Sequence, residues 1–83
     1  MSHYEANLNL GSILNDLRKH KEALTYFLKA QLLDPNSPDP VYNLGVVNSN
    51  LEKHDEAKKH YYRAIELDPK YFRPYSALIE YFF

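Results

Sequence analysis

Residues 42–45 read Tyr-Asn-Leu-Gly, and residues 64–69 read Ala-Ile-Glu-Leu-Asp-Pro. Each string has a counterpart 34 positions earlier, in Leu8-Asn9-Leu10-Gly11 and Ala30-Gln31-Leu32-Leu33-Asp34-Pro35. Extending outward from these anchors, residues 4–37 align on 38–71 without a gap, and 12 of 34 positions are identical. Unrelated segments of this length would share roughly two. A fixed period of this size marks a supersecondary unit that is stacked, and stacked units make extended binding surfaces.

The pattern within each period is helical. Five amphipathic segments are expected, from about Tyr4 to Leu17, Lys21 to Leu33, Pro38 to Leu51, Asp55 to Leu67, and Phe72 to the end at Phe83. Ser2 and Ser37 are suitable N-caps, and Pro38 and Pro74 are tolerated in a first turn. Asp34-Pro35 and Asp68-Pro69 end the second and fourth helices, because proline cannot continue a helix and its predecessor avoids the α region. Short loops make neighbouring helices antiparallel. Gly11 and Gly45 fall inside helices, where each costs about 1 kcal/mol relative to alanine. That cost, taken twice at equivalent positions, implies a helix crossing too close for a side chain. Ala23, Ala30, Ala57 and Ala64 are small residues on the crossing helices.

Composition bounds what such a chain can do. Its 83 residues hold no cysteine, so neither disulfides nor thiolate zinc sites staple it. The net charge of -1, with both signs interspersed, gives no electrostatic footprint for nucleic acid or an anionic membrane. Arg18-Lys19-His20-Lys21 is a short basic run where a helix-helix turn is expected. No apolar run approaches a membrane span and no signal-peptide pattern opens the chain, so a soluble, cytoplasmic protein is the expectation.

These positions resemble the tetratricopeptide repeat, a 34-residue helix-turn-helix unit. The first unit supplies Leu10, Gly11, Ala23, Phe27, Ala30 and Pro35, and the second Leu44, Gly45, Ala57, Tyr61, Ala64 and Pro69. The resemblance implies an all-α fold, a tetratricopeptide helix-turn-helix stack (alpha-alpha superhelix) of five helices. Residues 4–37 are the first repeat, 38–71 the second, and 72–83 the terminal helix of a half repeat. Departures are visible. Asn7 and Val41 replace the usual tryptophan, Arg18 and Glu52 the usual glycine before the second helix, and His20 and His54 an aromatic. Ile79 stands where a third unit would carry glycine, and would obstruct a close-packed second helix.

By the same resemblance, the first helix of each unit lines a concave surface. Leu8, Asn9, Asn15, Tyr42, Asn43, Val46, Asn50 and Arg73 are the candidates for holding a peptide there. Amides can both donate to and accept from an extended backbone, and Tyr42 can anchor a side chain. The Lys-Asn-Arg carboxylate clamp of chaperone-binding relatives is missing, since Leu8 and Ser12 occupy its first-unit positions. No catalytic, cofactor or metal site is expected. The sequence has no glycine-rich phosphate loop and no nucleophile elbow, and His54 and His60 are six apart rather than four.

The last helix carries Tyr75, Leu78, Ile79, Phe82 and Phe83 on a face expected to be open, which marks an interaction site. The expectation is a non-catalytic protein–protein interaction module, binding a protein or peptide and forming a homo-oligomer by end-to-end packing or exchange of the last helix. The alternative is an architectural spacer within a longer repeat protein, attached to a catalytic domain such as a glycosyltransferase.

Overall fold

The first helix starts where Ser2 Oγ accepts the Glu5 N–H at 3.1 Å, which satisfies one of the four amides left without a partner at a helix start. The computed structural model describes residues 2–82, with side chains for 2–80. Among these residues there are five helices and no strand: α1 His3–Asp16, α2 His20–Leu33, α3 Pro38–Asn50, α4 His54–Leu67 and α5 Arg73–Phe82. The fold is the expected all-α stack. Phe83, and the side chain of Phe82, lie outside the described residues.

The two turns inside the hairpins are built alike. The Arg18 N–H donates to Asn15 O at 3.0 Å and the Lys19 N–H to Leu14 O at 2.8 Å. Glu52 and Lys53 repeat this on Ser49 O and Asn48 O at 3.0 and 2.8 Å. This paired bonding closes a helix through one left-handed residue, and Arg18 and Glu52 hold that conformation at φ 64° and 62°. Glycine takes it without the Cβ penalty, which explains in physical terms the glycine whose absence the sequence shows.

Within each unit the glycine is where the helices cross. A Cβ on Gly11 would lie 2.7 Å from Phe27 Cε1, and one on Gly45 would lie 2.6 Å from Tyr61 Cε1. The rings of α2 and α4 thus lie directly on the backbones of α1 and α3. Between units, Leu44 and Val47 of α3 join Ala23 and Phe27 of α2 in one buried cluster. Ala77 and Leu78 of α5 join Ala57 and Tyr61 of α4 in the next. Asn48 is a buried polar residue, satisfied by donating Nδ2–H to Leu44 O at 2.8 Å.

Two expectations about burial need correction, for one reason. Leu10, Leu44 and Leu78 are equivalent positions that point back toward the preceding unit. Leu44 is 1 % exposed and Leu78 4 %, because α2 and α4 lie behind them. Leu78 therefore belongs to the interior and not to an open self-association face. Leu10, whose equivalence with Leu44 would place it in the core, is 39 % exposed, because among the described residues no helix lies behind α1.

Candidate binding groove

A cleft of 410 Å³ opens between α3 and α5 with Tyr61 of α4 at its base. Its α3 wall is Tyr42, Val46, Ser49 and Asn50; Val46 follows Tyr42 by four residues, and Ser49 and Asn50 follow Val46 by three and four, so each neighbours Val46 on one side of the helix. Its α5 wall is Arg73, Ser76, Ala77 and Glu80, with Phe72 at the foot. The proline after Asp68 ends α4, and the turn over 68–71 is closed by the Tyr71 N–H on Asp68 O at 3.1 Å. That turn brings α5 back across α4 to form the second wall.

The aromatic side of the cleft is held in place. Tyr42 packs on Tyr61 with ring centroids 5.8 Å apart and meets Tyr71 edge-on at 5.9 Å, both within the favourable range for aromatic pairs. Tyr71 donates its hydroxyl to the Asp39 carboxylate; burial, and then this carboxylate, push the phenol well above its ordinary value of 10.0. Tyr42 is thus a fixed wall and not a mobile anchor. Arg73 and Glu80 lie two turns apart on α5, so the groove offers a cation at one end and an anion at the other. Serine and asparagine groups lie between.

Four of the eight sequence candidates come together here: Tyr42, Val46, Asn50 and Arg73. The other four do not line this cleft. Leu8 packs against the core cluster of Phe27 and Leu44. Asn9 is exposed on α1, and Asn43 is half-buried on α3. Asn15 is committed elsewhere: its Oδ1 accepts from His20 Nδ1 at 2.6 Å and from Asn50 Nδ2 at 3.3 Å. It thereby ties the first hairpin turn to α3. Phe72, and Tyr71 behind Tyr42, are additions that the sequence does not single out, and Tyr61 is singled out there only as a signature residue of the second unit. Tyr71 and Phe72 fall in the loop before α5 and carry no helical periodicity, and Tyr61 reads as core.

On α5, Tyr75 and Ile79 remain open, Ile79 at 67 % exposure. Tyr75 donates its hydroxyl to Pro69 O at 3.0 Å, which fixes its ring along the helix. No helix among the described residues is long and apolar enough to cross a membrane.

A stack of helical hairpins, closed by glycine-aromatic crossings and grooved along its first helices, defines an α-helical repeat protein. The chain belongs to the tetratricopeptide repeat family: models of that repeat match residues 4–37 and 41–71. Repeats of this kind generally mediate protein–protein interaction and are typically non-catalytic. No curated protein matches the chain in sequence. Among solved structures, "MamA RS-1 ArsTM double mutant" is similar in fold, with a TM-score of 0.82 at 20 % identity over 96 % of this chain. The chain spans 47 % of that structure's length.

Proposed function

We propose that this protein is a non-catalytic interaction module that takes an extended segment of a partner protein in the cleft between α3 and α5. The observation that carries this is the aromatic wall of Tyr42, held by Tyr61 and Tyr71, in a cleft that Phe72, Arg73 and amide and hydroxyl groups also line. Aromatic surface supplies contact area at little entropic cost, and the amides serve a peptide backbone of any sequence. The preferred segment carries an acidic side chain to meet Arg73. The module also self-associates through the open face of α5, where Tyr75 and Ile79 are exposed.

Panning a display library of short random peptides against the chain tests the groove. Enriched peptides are expected to share an acidic position and to lose about tenfold in affinity, close to 1.4 kcal/mol, when Arg73→Ala or Phe72→Ala is introduced. Enriched peptides that bind both variants as tightly as the parent would refute the assignment of the cleft.

A further inference from the structure

The open face of α5 is an unusual seat. In the two complete units, the equivalent helix face accepts an aromatic ring on a glycine, Phe27 on Gly11 and Tyr61 on Gly45. In α5 that position is Ile79, a branched knob in place of a hole. A helix bearing an aromatic at the crossing cannot sit there. A helix bearing a small residue at the crossing, followed by aliphatic ones, can.

α1 carries such a stripe on its outer side. Ala6, Leu10 and Ile13 are all exposed, and Leu17 continues the stripe at 62 % exposure. Their counterparts in α3 are Pro40, Leu44 and Val47, all buried against the preceding unit, and in α5 Pro74 and Leu78 are buried the same way. The stripe is therefore of a kind that this protein already buries twice within itself.

We propose that α1 of a second copy docks on the open face of α5, so that copies add head to tail. This rests on the self-association proposed above and names its second surface. The spacings agree. Read antiparallel, as a second helix lies on a first within a hairpin, Ala6 meets Ile79 and Leu10 meets Tyr75. Both sets step by four residues, about one helical turn, so the two pairs fall in register. Small opposes large at the crossing, which inverts the glycine-aromatic pairing inside the units. His3 is then brought toward Glu80 at one end. The other exposed aliphatic stripe, Leu28 and Leu32 on α2, offers no small residue to receive Ile79. One face is used on each end, so the contact is heterologous and does not close on itself. A single helix pair overlapping for about 15 Å buries less than the ~800 Å² per partner of a standard interface, so assembly requires concentrations of tens of micromolar or more.

Sedimentation equilibrium on the full chain, from 10 µM to 1 mM, tests this, with circular dichroism checking that each variant folds. The parent's average mass is expected to climb past twice the 9.8 kDa monomer without a plateau. Leu10→Glu and Ile79→Glu should each hold the chain at monomer. Mixed together they should form a one-to-one pair and nothing larger, since one intact α1 and one intact α5 remain. If Ile79→Glu blocks association while Leu10→Glu does not, or if Leu28→Glu blocks it instead, α1 is not the occupant; self-association through α5 would stand and this inference would fall. A parent that stays monomeric to 1 mM removes self-association itself.

Discussion

Replacing Gly45 by alanine sets two effects of known sign against each other. In an exposed helix interior, the substitution stabilises by about 1 kcal/mol, because glycine loses the most backbone freedom on folding. Here the new methyl would lie 2.6, 2.8 and 3.1 Å from three carbons of the Tyr61 ring, where ordinary contact begins near 3.4 Å. The ring has nowhere to retreat. Tyr61 is 1 % exposed, packs on Tyr42 at 5.8 Å, and shares its cluster with Ala77 and Leu78 of α5. Relief requires α3 and α4 to separate by most of an ångström, or Tyr61 to leave its rotamer. Overpacking of this kind costs about 1–3 kcal/mol, so after the propensity gain the net expectation is a loss of up to about 2 kcal/mol. For a domain of this size that is a fall in Tm of several degrees. The assay is thermal and urea unfolding followed by circular dichroism, run as a double-mutant cycle with Tyr61→Leu. Alone, Tyr61→Leu is destabilising. On that background Gly45→Ala should become neutral or stabilising, because the clash is gone and the propensity gain remains. If Gly45→Ala raises the Tm of the parent chain, or costs as much on the Tyr61→Leu background as in the parent, the glycine is not there to admit the ring.

Three other outcomes are expected. Arg18→Gly and Glu52→Gly should each raise stability by about 0.5–1 kcal/mol in urea titrations, because relief of the left-handed strain exceeds the added chain entropy. Alanine at either site should not. Leu44→Ala should cost about 2–5 kcal/mol and Leu10→Ala under about 1 kcal/mol in the same titration, since only the former empties a packed interior. His60 is held below its ordinary value of 6.5, chiefly by burial and partly countered by Glu56. Its folded-state pKa lies below the unfolded one, so its contribution is present above pH 6.5 and lost as the pH falls below it. The Tm should therefore drop between about pH 7.5 and pH 5, and His60→Gln should make that drop smaller.

The fold is legible in the sequence because its decisive residues are small and repeated. Gly11, Gly45 and the alanines opposite them mark the crossings, and the 34-residue period with its helical patterning points to a stack of hairpins. Helix ends are readable to within about two residues where proline or a capping serine sets them. The groove is half legible: Tyr42, Val46, Asn50 and Arg73 meet because helical periodicity places them on facing walls. Asn15 escapes such a reading because its partner, His20, is five residues away around a turn whose left-handed residue is not a glycine. Leu78 escapes it because α5 has two apolar faces, Pro74–Leu78 and Tyr75–Ile79. Amphipathicity cannot say which of them turns inward. The equivalence of Leu78 with Leu44 can. The outer stripe of α1 is hidden for the mirror-image reason: its residues have the pattern of a core, and only their position at the edge of the stack leaves them open.

One wall of the cleft is α5, and among the described residues α5 is packed on α4 more sparsely than α3 is on α2. An element packed this sparsely opens at a lower free energy than the whole. A ligand that touches Arg73, Ser76 or Glu80 can bind only while that helix is docked, so its apparent dissociation constant is the intrinsic one divided by the docked fraction. Reciprocally, the ligand protects the amides of α5 from hydrogen exchange. Any change that steadies this helix, such as a neighbour laid along its outer side, would raise affinity without adding one contact to the ligand.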